Sequence, residues 1–296
     1  MKILITGANG VIGSDLVNFF SKDCKVFAIY RTSNNIIRKV KNKNINWIKH
    51  DLSKRITKKI KPEIVIHCAV THTFSKKTNF SDYINSNIIG LKNILEFCKI
   101  NKVKKFFHLS TINIYGNINY NKLDETHSFN NPNLLGATKI LMEKSISLQD
   151  FNYLNLRLPG VVGYLINDPR RPWFCKIIKN INKNKKIEIF NSNKKFNNLI
   201  DSYEIYKFIK FLKNKKNFLN GSVNFCARNP ITLKKIIVFS KKILNSKSKI
   251  IYNKRKSVHF TISSKKVSLD YGFDASNTLE IVYRYLEYFK KNFTKI

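Results

Sequence analysis

The residues best suited to chemistry open the chain. Thr6-Gly7-Ala8-Asn9-Gly10-Val11-Ile12-Gly13 places three glycines three apart, directly after the apolar run Lys2–Thr6. That order describes a strand, a tight turn and a helix start. One glycine lets the backbone turn sharply, one lets it approach a pyrophosphate, and one lets the helix pack close on the strand. The helix N-terminus then offers free N–H groups and a partial positive charge to phosphates. The chemistry predicted is dinucleotide binding through Gly7, Asn9, Gly10, Val11, Ile12 and Gly13. The amphipathic stretch Val11–Phe20 supplies the helix that this turn needs.

Later strand ends refine the ligand. A carboxylate at the end of the second strand would hold both ribose hydroxyls of NAD. This chain reads Tyr30-Arg31-Thr32-Ser33 there, with no acid. Arg31 can pair with a 2′-phosphate, and Thr32 and Ser33 can add hydroxyl donors. NADP is therefore expected, with NAD as the alternative. Asp51-Leu52 closes the third strand, where an acid can meet the adenine amino group; Asp51 could equally cap a helix. Cys68-Ala69-Val70 ends the fourth strand, where small residues let a cofactor lie against backbone.

The elements that must position these residues follow from periodicity. Strands are expected at Lys2–Thr6, Lys25–Tyr30, Ile45–Lys49, Ile64–Cys68, Lys105–Ser110 and Tyr153–Leu158, with helices at Val11–Ser21, Asn85–Lys99 and Leu135–Gln149. Strands alternating with helices imply a parallel sheet covered on both faces. In the second half, Trp173–Asn182, Ser202–Asn214, Thr232–Leu244 and Thr278–Phe293 read as helices and Ser222–Cys226 as a strand. The fold class expected is α/β, a Rossmann-type doubly wound parallel sheet with a smaller C-terminal substrate-binding region. Residues 1–160 would form the nucleotide-binding domain, and 161–296 mainly the substrate region, interleaved with it. No repeat or Pro/Gly-rich linker separates the two halves.

Composition narrows the class. The 296 residues are 43% hydrophobic, which is globular rather than disordered. The five cysteines, at 24, 68, 98, 175 and 226, lack metal-ligand or disulfide-framework spacing. No metal is expected, and a reducing compartment is. A first strand at residue 2 leaves no room for a signal peptide, and no apolar run has transmembrane length. The expectation is a cytoplasmic protein without a membrane partner.

The net charge of +37 would by itself suggest nucleic acid. However, the lysines are spread along the whole chain with no aromatic-interleaved motif. Runs such as Lys58-Lys59-Ile60-Lys61, Lys102-Val-Lys-Lys105, Lys183-Asn-Lys-Lys186 and Lys213-Asn-Lys-Lys216 are expected on surface helix ends and loops. No specific nucleic-acid partner is expected, and the positive field suits an anionic substrate.

Further motifs follow in order: His67-Cys-Ala-Val70, Asn85-Ser-Asn87-Ile-Ile-Gly90, Phe107-His-Leu-Ser110-Thr111-Ile-Asn-Ile-Tyr115-Gly116 and Pro132-Asn-Leu-Leu135-Gly136-Ala-Thr-Lys139. Then come Leu156-Arg157-Leu-Pro159-Gly-Val-Val-Gly163, Phe196–Ile205, Val223-Asn224-Phe225 and Leu269-Asp-Tyr-Gly272-Phe273. With the glycine turn, this collinear set resembles the NAD(P)-dependent epimerase/dehydratase family, the extended short-chain dehydrogenase/reductases. The resemblance runs nearly end to end. It implies reversible hydride transfer between a nucleotide-sugar carbon and a nicotinamide. It adds Asn87, Lys139 and Pro159 to the cofactor residues. It also implies a homodimer built on the helices matching Asn85–Lys99 and Leu135–Gln149.

In that family a Tyr four residues before a Lys moves the hydroxyl proton, aided by a Ser or Thr on the preceding strand. Four residues apart on a helix puts both side chains on one face, where the Lys can lower the Tyr pKa and hold the ribose. By the resemblance, Thr111 and Lys139 fill two of these catalytic places. The tyrosine place holds Leu135, which cannot move a proton, a loss typically worth about 10²–10⁴ in rate. His72 and Tyr164 are the candidate substitutes, His72 first because imidazole suits acid–base work. His108 is expected to point into the core. The family's dehydratases carry Asp-Glu where this chain has Ile112-Asn113, so dehydration by that route is not expected. Gly160 stands where relatives often place a substrate-contacting Asn. Two readings follow: a nucleotide-sugar epimerase or ketoreductase with altered acid–base machinery, or a catalytically silent NADP-binding protein with a regulatory or scaffolding role.

Overall fold

The computed structural model describes residues 1–32, 40–72, 79–165, 173–253 and 258–293. Seven parallel strands form the central sheet: β1 (Lys2–Thr6), β2 (Lys25–Tyr30), β3 (Ile45–Lys49), β4 (Ile64–His67), β5 (Lys105–Thr111), β6 (Asn152–Leu158) and β7 (Gly221–Asn224). Their spatial order is β7-β6-β5-β4-β1-β2-β3. The order reverses after β3, where the chain crosses to the other side of β1, and that reversal opens a crevice at the strands' carboxyl ends. The central strands are largely apolar on both faces, as a sheet covered on both sides requires.

The helices are α1 (Val11–Phe20), α2 (Phe80–Tyr83), α3 (Gly90–Ile100), α4 (Leu134–Ser147), α5 (Trp173–Asn182), α6 (Ser202–Lys213), α7 (Leu233–Ile243), α8 (Lys265–Tyr271) and α9 (Thr278–Phe293). On one face of the sheet, Leu16, Val17 and Phe20 of α1 join Phe208 and Leu212 of α6 and Tyr285 of α9 in a single core. On the other face, Leu91, Ile94 and Leu95 of α3 pack with Met142 and Ile146 of α4 against Leu4, Val65 and Phe106. Strand β7 and helix α6 come from the second half of the chain and complete the sheet begun by the first. Among the described residues, no helix is long and apolar enough to cross a membrane.

The register places one polar residue from each of five neighbouring strands in a row. Thr6 pairs with His67, His67 with His108, His108 with Asn155, and Asn155 with Ser222. Paired positions in a parallel sheet share a face, so these five side chains form a polar line across the buried α3/α4 side.

Two expectations need correction. The helix expected at Asn85–Lys99 starts earlier, at α2, and passes through a π-helical stretch, Ile84–Ile89, before α3. An Asn79–Asp82 capping box starts it. Within the π stretch, Asn87 is pulled into two side-chain bonds, the kind of local demand that π turns serve. Lys105, expected on a solvated run, is buried instead. Its ammonium donates to the carbonyls of Leu212 (3.3 Å), Lys213 (2.8 Å) and Lys215. These carbonyls lie at and just beyond the C-terminus of α6, where a cation is favoured. Several two- and three-residue strand pairs, such as Gly160–Val162 with Leu199–Asp201, were not foreseen; they are too short for a periodic signal.

Candidate cofactor cleft

At the carboxyl end of β1 the chain turns at Gly7, whose φ of +62° is open to glycine. A Cβ there would also meet the backbone of Ala69 at 2.8 Å. A Cβ on Gly13 would collide with the Gly7 carbonyl, so α1 can start this close to β1 only with glycine. Gly10 is the N-cap of α1 and supplies no side-chain cap. The first N–H groups of the helix are therefore left for an anionic ligand.

These groups border a cleft of about 410 Å³ at the switch point of the sheet. Gly7, Asn9, Gly10, Val11, Ile12 and Gly13 form one wall. Arg31, Asp51 and Leu52 form the second, and Cys68, Ala69, Val70 and His72 the third. All thirteen were singled out from the sequence. Ile29, Tyr30, Thr32, His50 and Ser86 also line it; of these only Thr32 was foreseen. Ile29, Tyr30 and His50 are neighbours of foreseen strand-end residues. Ser86 comes from the π stretch; it lies within the Asn85–Gly90 motif but was not singled out there. Ser33 lies outside the described residues.

The cleft's polar groups are tied in. Arg31 Nη1 donates to Ser86 Oγ at 3.1 Å. Asn9 Nδ2 donates to the Thr32 carbonyl. Asp51 Oδ1 accepts from Ser53 N at 3.0 Å, so the acid also stabilises its own turn. Burial raises the Asp51 pKa, but the Ser53 hydrogen bonds and the Arg31 charge outweigh it, and the carboxyl sits below its ordinary value.

The remaining foreseen residues lie off the cleft wall. Asn87 is fully buried; its Oδ1 accepts from Thr71 N (2.8 Å) and its Nδ2 donates to Thr138 Oγ1 (3.1 Å). It ties the loop after β4 to α4. Pro159 is buried just past β6. Thr111 ends β5, and its Oγ1 accepts from Asn113 N at 3.2 Å, capping the turn Ile112–Tyr115. Leu135 is 1% exposed in the first turn of α4. Lys139, one turn on, is 2% exposed; its Nζ donates to the Leu109 carbonyl at 2.7 Å and lies 3.0 Å from His108 Nε2. Burial pushes the Lys139 amine down to about 7, against the opposing pull of Cys68 and Glu143.

The tyrosines are committed elsewhere. Tyr115 donates to Asn224 Oδ1 and accepts from Arg157 Nη1, both at 2.9 Å. Tyr164 is buried with its hydroxyl on Asp201 Oδ2 at 2.5 Å, and burial drives its phenol far above the ordinary range. Tyr164 therefore sits in the core between α1 and α9, not beside the cleft. His108 is fully buried, as its place in β5 predicts.

Solved structures share this architecture. A UDP-glucuronic acid 4-epimerase from Bacillus cereus, solved with NAD, superposes with a TM-score of 0.83 over 100% of this chain and 99% of that one, at 22% identity. A UDP-glucose 4-epimerase from Thermotoga maritima, solved with UDP-glucose, gives 0.81 over 98% and 99% at 21% identity. In sequence, a dTDP-D-glucose 4,6-dehydratase of Dictyostelium discoideum is 29% identical over 81% of this chain, which spans 62% of that protein. An uncharacterized UDP-glucose epimerase of Bacillus subtilis is 25% identical over 86% of this chain and 85% of its own length. A family model matches residues 3–224, running from β1 to the last strand of the sheet, β7. The chain belongs to the NAD dependent epimerase/dehydratase family.

Proposed function

We propose that this protein binds a nicotinamide dinucleotide in the cleft and modifies a nucleotide sugar by hydride transfer, as an epimerase or ketoreductase with altered acid–base machinery. The observation that carries this reading is the uncapped start of α1 facing a cleft bordered by Gly7, Gly10 and Gly13. Neutral backbone donors gathered on one anion-sized turn suit a pyrophosphate. The bound nicotinamide would supply the hydride acceptor and donor. Arg31 supports NADP: it is exposed on the cleft's rim where a ribose-binding carboxylate would stand. Solved relatives hold NAD, so the preference for NADP rests on this chain's own arginine. Ile112 and Asn113 in place of an acid pair argue against dehydration. Lys139 and Thr111 would serve the reacting hydroxyl, with His72, on the cleft wall, as the candidate proton carrier.

A second reading, a catalytically silent dinucleotide-binding protein, is favoured by one observation. Leu135 is packed into α4's buried side with no proton to give. Titration with NADPH and NADH, followed by incubation with a panel of nucleotide sugars, separates the two. Tighter NADPH binding and new product masses from the unmodified protein are expected, with at least a tenfold loss in His72→Ala. Turnover appearing only in Leu135→Tyr would establish the silent reading, and tighter NADH binding would overturn the NADP assignment.

The helix pair also supports a homodimer. α3 and α4 leave a groove of about 460 Å³, lined by Leu91, Leu95, Leu141 and Leu148. Leu141 and Leu148 are 51% and 82% exposed, more than a single chain gains from leaving in water.

A further inference from the structure

Lys139 reaches the polar row of the sheet from α4, and the row dictates what it meets. Glu143, one turn further along α4, is gripped by Arg157 at 2.8 Å and can only accept. Ser222 on β7 therefore spends its hydroxyl proton on Glu143 Oε2 at 3.0 Å. The Ser222 oxygen in turn accepts from Asn155 Nδ2 at 3.0 Å. That orients the Asn155 amide, so its Oδ1 faces His108 Nδ1 at 3.0 Å. The His108 proton must then sit on Nδ1, leaving Nε2 bare toward the Lys139 amine 3.0 Å away.

We propose that His108 is the positioning residue of Lys139: the relay Glu143–Ser222–Asn155–His108 fixes the imidazole tautomer, anchors the amine, and sets the pH at which that amine carries charge. The inference rests on the hydride-transfer reading only for its consequence, since Lys139 is the group that would act beside the nicotinamide.

The surroundings are consistent with an amine poised between its two forms. Two acceptors, Leu109 O and His108 Nε2, match the two N–H groups of a neutral amine, while an ammonium has a third to place. The other titratable groups around it are His67 on β4, Cys68 just beyond it, Glu143 on α4 and Arg157 on β6. Burial holds His67 down to about 3 and keeps His108 well below its ordinary range, so both stay neutral. Burial likewise pushes the Cys68 thiol up to about 12. Glu143 is paired with Arg157, and its remaining pull on Lys139 favours the ammonium form. Loss of the His108 acceptor would leave the ammonium form less supported and lower its titration midpoint.

The test compares two variants of the whole protein. Glutamine at 108 can keep an acceptor near the Nε2 position, and asparagine can keep only the bond to Asn155. Lysine Cε resonances, with Lys139 assigned by its loss in Lys139→Met, give the midpoint directly. His108→Asn is expected to lower it by about one pH unit, tenfold in the protonation constant, and His108→Gln to leave it within a few tenths. Equal shifts in both variants, or none, would overturn the proposal. Should either variant fail to fold, histidine side-chain ¹⁵N spectra of the wild-type protein still decide: a protonated Nδ1 and bare Nε2 from pH 6 to 8.5 are expected, and the opposite tautomer or a titrating ring sinks the idea. Neither spectrum needs a cofactor. A protein that shows the predicted midpoints yet binds neither NADH nor NADPH would count against the cofactor reading alone.

Discussion

Asp15 is a single side chain with a consequence for the whole cleft. It sits on α1, fully buried, and accepts from Tyr164 N (2.7 Å), Leu165 N (2.9 Å) and the Ser202 hydroxyl. One carboxylate thus ties α1 to the chain beyond β6 and to α6. Burial raises its pKa from 3.8 to about 6, and its three hydrogen bonds only partly oppose that. A carboxyl whose folded pKa lies above its unfolded one contributes most stability below the unfolded value, and that contribution is lost as pH rises through the folded one. The window here is about pH 4 to 6, and the loss is on the order of 3 kcal/mol at about 1.4 kcal/mol per unit. Urea unfolding of wild type and Asp15→Asn across this range should show wild type losing ground to the variant up to about pH 6, then a constant gap. A gap independent of pH would refute this.

At the scale of elements, strand and helix positions were largely legible because burial on both sheet faces leaves continuous apolar runs in the strands. α5 and α9 occupy the ranges that their helical periodicity predicts. Charge misled where tertiary packing intervened. Lys105 belongs to a run that reads as solvated, yet its ammonium meets the carbonyls at the C-terminal end of α6 and donates to them. Lys105→Met keeps the aliphatic stem and removes the donors. It should destabilise the fold by about 1–3 kcal/mol in urea melts, the cost of losing hydrogen bonds from a charged donor to the end of α6. Lys104→Met serves as the control, since Lys104 is exposed, and should change stability by less than about 0.5 kcal/mol.

For the whole molecule, the groove between α3 and α4 bears on assembly. If a second copy covers it, sedimentation should give twice the 34.6 kDa chain mass, and Leu141→Glu with Leu148→Glu should give the single-chain mass. Both leucines are largely exposed within one chain, so the variant should melt cooperatively as a monomer. A wild type that sediments as a monomer at micromolar concentration would rule the dimer out.

The glycine turn, the strand ends that wall the cleft and the order of strands and helices all follow from local sequence, because each depends on near neighbours in the chain. What the tertiary structure alone decided is where distant polar groups meet. Thr6, His67, His108, Asn155 and Ser222 come from five strands, and only their shared register makes them a row. Tyr164 reads as a candidate acid–base group, and only the fold brings Asp201 beneath its hydroxyl. Lys139 likewise becomes more than a motif lysine only once His108 lies beneath its amine. Local pattern records which residues a segment turns inward, whereas hydrogen-bond partners far apart in the chain are set by strand register and helix packing.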